Sequence, residues 1–239
     1  MAEVFVRRLS RWQAEQQREA VADVYVEAYR RVPGEESRDR RERDRQEFLE
    51  TFAEDVQRPG FDMVVASGGN KPAAYAYGFV LDRAGEWWRA LSGEVPWDWD
   101  IEELTVSGQV FALAGLMVLP AHRRGGVATR LVEQLLIRTD AALVAARVDP
   151  ANEAAVGALR SWGWTRLGAV APPGTVSDAP PGTVSDAPPV VSSDAPPVVS
   201  SDASSAAASD GTAATVPFTA VPVVGSGTVT DIWSRALTS

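Results

Sequence analysis

The sequence lacks cysteine altogether and contains a single histidine, His122. Without cysteine the chain has no disulfide framework, no thiolate nucleophile and no cysteine-based metal site, and one histidine cannot supply most histidine-centred triads or zinc sites. We therefore expect no metal. Any proton transfer has to be carried by carboxylates, hydroxyls, backbone dipoles or the substrate itself.

Long apolar runs are lacking as well. No apolar signal segment opens the sequence, and no uninterrupted apolar stretch reaches the roughly 18 residues of a membrane span, so we predict a soluble, cytoplasmic protein with no membrane partner. The formal net charge is −9, which argues against nucleic acid because a basic face is what releases the counterions of nucleic-acid phosphates on binding. The residues after 170 hold six Asp and one Arg, or −5, which leaves −4 for the first 170 residues. That mildly acidic balance is compatible with a cationic amine substrate.

An eight-residue repeat begins after residue 170. Ala171–Asp178 reads APPGTVSD, recurs once, changes to APPVVSSD and fades into ASSAAASD. This composition cannot build a packed core, and the period is far below the roughly 20 to 50 residues of solenoid repeats. We predict a disordered linker over 171–227, favouring expansion of a tolerated surface loop over a functional spacer. The β-prone segment TVTDIWSRAL then predicts a final strand within 228–239.

Within residues 1–170, segments whose apolar residues have the two-residue period of strands alternate with segments that have the 3.6-residue period of helices. One predicted helix carries Val21, Val24, Tyr25 and Ala28 on a single face. The other predicted helices cover 37–56, 126–138 and 152–162, and the predicted strands cover 4–9, 61–66, 73–81, 110–118, 142–148 and 164–170. The strand at 110–118 is apolar almost throughout, as expected of a buried central strand. We predict one α/β domain, a mixed central β-sheet flanked by helices, with the disordered repeat inserted before the last strand.

The segment from Leu116 to Leu131 joins a buried strand, a proline stop, two arginines, two glycines and a helix start. Glycines let the backbone approach a ligand closely, and the first turn of a helix presents unpaired N–H groups at the positive end of its dipole. This combination predicts an anion site. The glycine fingerprints of P-loop and dinucleotide-binding proteins are absent.

The run V118-L-P-A-H-R-R-G-G-V-A128 resembles the acyl-CoA pyrophosphate loop of the GNAT acyltransferase superfamily, whose pattern is V-x-P-x-x-[RQ]-x-x-G-x-[GA]. A second family element fits at the usual distance, where N152-E-A-A155 leads into R160-S-W-G-W164. The resemblance covers roughly residues 3–170 and the final strand. It implies an acyl-CoA-dependent N-acyltransferase, with acetyl-CoA as the default co-substrate and direct transfer to a small-molecule amine.

Site residues follow from the resemblance position by position. The central strand lines the thioester and pantetheine arm through Leu116, Met117 and Val118. Amides from Arg124 onward bind the pyrophosphate, and Asn152 bonds the pantetheine arm. The implied cofactor-binding residues of the loop are Arg123, Arg124, Gly125, Gly126, Val127, Ala128 and Thr129.

Two groups common in the family are missing. Family members often carry a Glu on the central strand that acts on the amine and a Tyr on the last helix that protonates the thiolate; these positions are Gly115 and Leu159 here. The catalytic residues are therefore unknown. Either the enzyme works by proximity and desolvation with a water or another carboxylate, or the chain is a non-catalytic acyl-CoA sensor or interaction module. We favour the enzyme, since approximation alone supplies about 7 kcal/mol or more. A protein that retains only the fold is a weaker alternative, and a homodimer stays open.

The connection between Leu81 and Val110 holds the carboxylates that could best substitute for the missing acid. It carries tryptophans beside carboxylates, a suitable receptor for a cationic amine, and Glu86, Trp87 and Trp88 are the candidate substrate-binding residues. The alternative is that these tryptophans cap the sheet while the acids face water. His122 lies within the phosphate loop, where we expect an exposed or phosphate-facing side chain rather than a base.

Overall fold

The described part of the chain combines α-helices with one set of β-strands, and the predicted anion-binding loop follows the strand at 110–118. The computed structural model describes residues 4–29, 38–69, 71–81, 91–92, 100–170 and 230–237. The helices are α1 (Arg11–Gln16), α2 (Arg18–Tyr29), α3 (Arg38–Gln57), α4 (Ile101–Val106), α5 (Val127–Leu136) and α6 (Glu153–Ser161). The strands are β1 (Phe5–Leu9), β2 (Asp62–Gly68), β3 (Lys71–Val80), β4 (Leu91–Ser92), β5 (Val110–Val118), β6 (Leu143–Val148), β7 (Thr165–Val170) and β8 (Thr230–Ala236).

The strands form one sheet in the order β1-β2-β3-β5-β6-β8-β7-β4. Among the described strands, only β5 and β6 are parallel neighbours, joined by the crossover through α5, and the other pairs are antiparallel. Such a crossover needs a helix, which lies on one face of the sheet and starts directly after β5. The fold-class prediction is confirmed.

Two apolar layers cover the two faces of this sheet. On one face, Leu113 and Leu116 of β5 pack with Leu131 of α5 and Leu159 of α6. The opposite face carries Tyr75 and Tyr77 of β3 under α1, α2 and α3, so successive residues of β3 alternate between the two cores. Each buried side chain of this size contributes about 1.5 to 3 kcal/mol.

The last strand of the chain occupies an interior position of the sheet. β8 pairs with β6 on one side and with β7 on the other. Val170, where β7 ends, is the Cα partner of Thr230, where β8 begins. The segment 171–229 therefore joins two positions that are already neighbours. The predicted disorder of 171–227 lies outside the described residues.

Three local differences from the sequence prediction stand out. The first helical segment is two helices that meet at Gln17, and Ser10 starts α1 with a capping box in which it exchanges hydrogen bonds with Gln13. The connection after Leu81 contains a further helix, α4, whose N-cap Asp100 accepts a hydrogen bond from the Glu103 amide. It also contains β4, which pairs with the end of β7.

No helix within the described ranges has both the length and the apolar character that crossing a bilayer demands.

Candidate active site

The central feature of the site is a gap between β5 and β6. The parallel pairs run from Val110 opposite Leu143 to Leu113 opposite Ala146. Beyond that pair β5 continues to Val118 and β6 to Val148 without further pairing between the two strands. The strands therefore separate towards their C-terminal ends, which is the end of a parallel strand pair where ligands bind in α/β sheets.

A β-bulge marks the point where the strands part. Tyr77 of β3 pairs with Gly115, but the next residue, Gly78, pairs with Leu113, so Ala114 has no partner on β3. An extra residue of this kind bends its strand and increases the local twist. Beyond the bulge, Leu116, Met117 and Val118 are buried and belong to the part of β5 that has no partner on β6.

A turn rich in free amides follows β5. Among the described residues, Arg124 is the only non-glycine residue with a positive φ, 60°, and Gly126, the N-cap of α5, has a φ of 72°. In the described part of the chain, the N–H groups of Arg124, Gly125 and Gly126 donate no backbone hydrogen bond. Successive amides in such a conformation form an anion-binding concavity, and a left-handed arginine is a strained residue of the kind that concentrates at functional sites.

The first turn of α5 adds further donors. The first helical bond runs from the Arg130 N–H to the Gly126 carbonyl at 3.1 Å, so the N–H groups of Val127, Ala128 and Thr129 precede the helical ladder. Val127 is buried with the helix residues Leu131 and Leu135, which fixes α5 on the sheet. A methyl group added at Gly126 would meet no atom within 4 Å. Arg124, Gly125 and Gly126 are exposed, so their amides are accessible to an anionic ligand.

The side chain of Arg123 anchors this turn to two other elements. Its Nε donates to the Val118 carbonyl at 3.0 Å, and its Nη2 donates to the Ala28 carbonyl at 2.8 Å. Burial lowers the pKa of the guanidinium from its ordinary value. The side chain thus ties the turn to the end of β5 and to the end of α2, and its described contacts are structural.

The second predicted element closes the same region. Thr129 accepts a hydrogen bond from the Trp162 indole N–H at 3.1 Å, which links α5 to the end of α6. Asn152 is buried at the start of α6, where its Oδ1 accepts a hydrogen bond from the Ala155 amide at 3.1 Å. The structure therefore brings the loop and the Asn152 element to one end of the sheet. Asn152 acts as a helix cap.

Other predicted positions have simpler outcomes. Glu86, Trp87 and Trp88 lie outside the described residues. His122 is half-buried, and its ring stands 3.3 Å from where a Cβ on Gly68 would be, at the end of β2. Leu159, at the position of the missing Tyr, is fully buried in the core.

The position of the missing Glu is filled by a neighbouring residue that the sequence analysis did not single out. A Cβ on Gly115 would stand 2.2 Å from Cε1 of Tyr77, and the Tyr77 hydroxyl donates to Asp55 Oδ2 at 3.1 Å. Asp55 is 6% exposed. No local pattern in the sequence joins a residue of α3 to residues of β3 and β5. The available signal was the position of Asp55, three residues after Phe52 and next to Val56, on the apolar side of the helix.

The family model of the acetyltransferase (GNAT) family matches residues 18–164, which include β5, the turn and α6. The chain belongs to the acetyltransferase (GNAT) family. This confirms the resemblance drawn from the loop at Val118–Ala128 and from the element at Asn152. No curated protein sequence matches the chain significantly.

Several solved GNAT structures are similar to this chain. The PaiA N-acetyltransferase of Thermoplasma acidophilum, in complex with coenzyme A, is 12% identical, with 69% of this chain and 91% of that one covered at a TM-score of 0.48. The ribosomal-protein-S18-alanine N-acetyltransferase of Escherichia coli is 16% identical, with 70% and 81% covered at a TM-score of 0.42. The aminoglycoside N-acetyltransferase AAC(6')-Iy, in complex with CoA, is 15% identical, with 70% and 91% covered at a TM-score of 0.45.

Proposed function

We propose that this protein is an acetyl-CoA-dependent N-acetyltransferase that transfers the acetyl group directly to an amine of a small molecule. The observation that carries the proposal is the continuity of two features. The gap between β5 and β6 ends at Val118, and the amide-lined turn at Arg124–Gly126 follows within a few residues. A ligand with a phosphate group at one end and an extended arm at the other matches that layout.

Different residues bind the pyrophosphate and the arm of acetyl-CoA. Amides of Arg124 through Thr129 hold the pyrophosphate at the start of α5, where the helix dipole favours negative charge. The separated half of β5, Leu116–Val118, lines the arm and carries the thioester towards the bulge at Ala114. Holding thioester and amine in this geometry supplies about 7 kcal/mol or more of the barrier.

Direct transfer suits the residues available. The chain contains no cysteine, so no thiolate of the enzyme can take the acetyl group first. In direct transfer the amine nitrogen attacks the thioester carbon, the C–S bond breaks and coenzyme A leaves. The acceptor is proposed to bind near Glu86, Trp87 and Trp88, since carboxylates beside aromatic faces attract a cationic amine.

Titration calorimetry with acetyl-CoA tests the binding site. We expect saturable binding to the wild-type protein and at least a tenfold weaker Kd, about 1.4 kcal/mol, for Gly126→Glu, because the new carboxylate faces the phosphates. Gly108→Glu is the matched control: Gly108 has a φ of 71°, close to the 72° of Gly126, but lies before β5, at the opposite end of the strand. It introduces the same charge and the same backbone strain, and it should bind normally. Folded wild-type protein without acetyl-CoA binding would refute the proposal.

A second candidate function is a non-catalytic acyl-CoA-binding module. Gly115 and Leu159, neither able to move a proton, favour it. Release of the coenzyme A thiol separates the two candidates, measured with acetyl-CoA and a panel of spermidine, tyramine, an aminoglycoside and a lysine tripeptide. Turnover with one amine, lost in Gly126→Glu, supports the enzyme, and binding without turnover supports the module.

A further inference from the structure

Tyr77 occupies the space that a side chain at position 115 would fill. The nearest atoms to an ideal Cβ on Gly115 all belong to the Tyr77 ring: Cε1 at 2.2 Å, Cδ1 at 2.8 Å and Cζ at 3.0 Å. Cζ is the carbon that bears the hydroxyl group. The Tyr77 hydroxyl is bonded to Cζ, which stands 3.0 Å from that Cβ position. The hydroxyl is therefore at about the distance that the carboxyl group of an acidic side chain at position 115 would reach.

Gly115 is next to the gap. It lies two residues after Leu113, the last residue of β5 that pairs with β6, and the bulged Ala114 stands between them. Because position 115 has no side chain, the Tyr77 ring packs from β3 against β5 at Gly115. Only glycine permits this contact, since any larger residue would force the ring away.

Asp55 completes the arrangement from α3. Its Oδ2 accepts the hydrogen bond of the Tyr77 hydroxyl at 3.1 Å, and its Oδ1 lies 3.4 Å from Nε of Arg58. Both members of the pair are buried: Asp55 is 6% exposed and Tyr77 is 3% exposed. A buried carboxylate lowers the stability of the fold, and buried acids of this kind cluster at functional sites.

The charged and titratable groups around the pair favour an ionised acid beside a protonated phenol. The pKa of Asp55 is raised to about 6, mainly by burial and also by Glu54, while the Tyr77 hydrogen bond and Arg58 act in the opposite direction. Burial raises the pKa of Tyr77 well above its ordinary value, as do Asp55, Tyr75 and Tyr25. At neutral pH Tyr77 keeps its proton and Asp55 is a carboxylate, poised as a base near its working pH.

We propose that the Tyr77 hydroxyl and the Asp55 carboxylate together accept the proton that the acceptor amine loses, in place of the acid missing at Gly115. The inference rests on the proposed transferase function. Tyr77 is the group that meets the amine or an intervening water, and Asp55 is a positioning residue that acts through Tyr77.

The proton moves in a balanced relay. The amine nitrogen forms a bond to the thioester carbon, and the C–S bond breaks with its electron pair on sulfur. As the nitrogen loses a proton to the Tyr77 oxygen, the original Tyr77 proton passes to Asp55 Oδ2. The products are the amide, the coenzyme A thiolate and protonated Asp55. The thiolate then takes a proton from water, and Asp55 releases its own.

The test measures kcat, KM and acetyl-CoA affinity for the full-length protein with the best amine of the panel. We expect Tyr77→Phe to lower kcat about a hundredfold while the Kd for acetyl-CoA is unchanged. Wild-type kcat should rise with pH around the Asp55 pKa of about 6, and Asp55→Asn should lose that rise. Asp55→Glu should recover part of the rate, which a purely structural role does not require.

The matched control is Tyr75→Phe, which removes a hydroxyl from the same face of β3, also fully buried. It should retain kcat. Thermal melting shows that each variant is folded. Wild-type kcat in Tyr77→Phe, an unchanged pH profile in Asp55→Asn, or acetyl-CoA binding without turnover for any amine each overturns the relay. Absence of acetyl-CoA binding to the wild-type protein refutes the proposed function instead.

Discussion

Replacing Asp55 with asparagine should stabilise the protein at neutral pH and leave its stability in acid almost unchanged. Asparagine imitates the protonated acid, keeps an oxygen for the Tyr77 hydroxyl and removes the buried charge. The pKa of Asp55 rises from an ordinary 3.8 to about 6 on folding. Each pKa unit corresponds to 1.36 kcal/mol, so ionisation of Asp55 costs the folded state up to about 3 kcal/mol.

The sign follows from proton binding. Between pH 4 and pH 6 the folded protein holds the Asp55 proton more tightly than the unfolded chain, so this contribution to stability is complete below about pH 4 and is lost as pH rises through about 6. Asp55→Asn has no such dependence. The stability difference between variant and wild type should therefore grow from near zero at pH 4 to about 3 kcal/mol at pH 7.5.

Urea denaturation at a series of pH values measures this difference. Glu54→Gln is the control, because it removes a carboxylate from the adjacent, exposed position of α3. Its effect should be small at every pH. Parallel pH profiles for wild type and Asp55→Asn would show that the burial argument is wrong. A more stable but slower Asp55→Asn variant would show that the buried acid is kept for catalysis.

Four further changes probe other parts of the structure. Gly115→Ala should lower the free energy of unfolding by about 1 to 3 kcal/mol, because its Cβ would stand 2.2 Å from Tyr77; urea melts measure the loss, and Tyr77→Val should relieve it. Arg123→Met should cost about 2 kcal/mol or more by the same assay, since two hydrogen bonds to backbone carbonyls disappear. Gly157→Ala should raise stability by about 1 kcal/mol, because this mid-helix position has no atom within 4 Å of a new Cβ. Deletion of Ala171–Asp210 should shift the unfolding free energy by no more than about 1 kcal/mol, as calorimetry or urea melts can check; a large loss would contradict the inserted-loop proposal.

The sequence predicted the elements that have strong local patterns. The strand at 110–118 coincides with β5, because an apolar run ended by Pro120 has few other solutions. The loop and the start of α5 were equally visible, since glycines and a proline fix that turn within a few residues. The four apolar positions from Val21 to Ala28 are all buried, as their spacing indicated.

The features that sequence reasoning missed depend on distant partners. The bulge at Ala114 exists because β3 and β5 differ in register on either side of Tyr77. The role of Gly115 is invisible without knowing that a tyrosine from β3 fills its place. Helix α4 was missed because six residues give too little periodicity to separate a helix from a loop.

The interior position of β8 also affects the order in which the protein can assemble during synthesis on the ribosome. β6 and β7 are made long before Thr230–Ala236, yet each presents an open hydrogen-bonding edge until that last segment arrives. A nascent chain interrupted anywhere in the octapeptide region would be left with two exposed edges and a split sheet. Such fragments are natural substrates for chaperones and proteases, so quality control should act strongly on incomplete copies of this polypeptide.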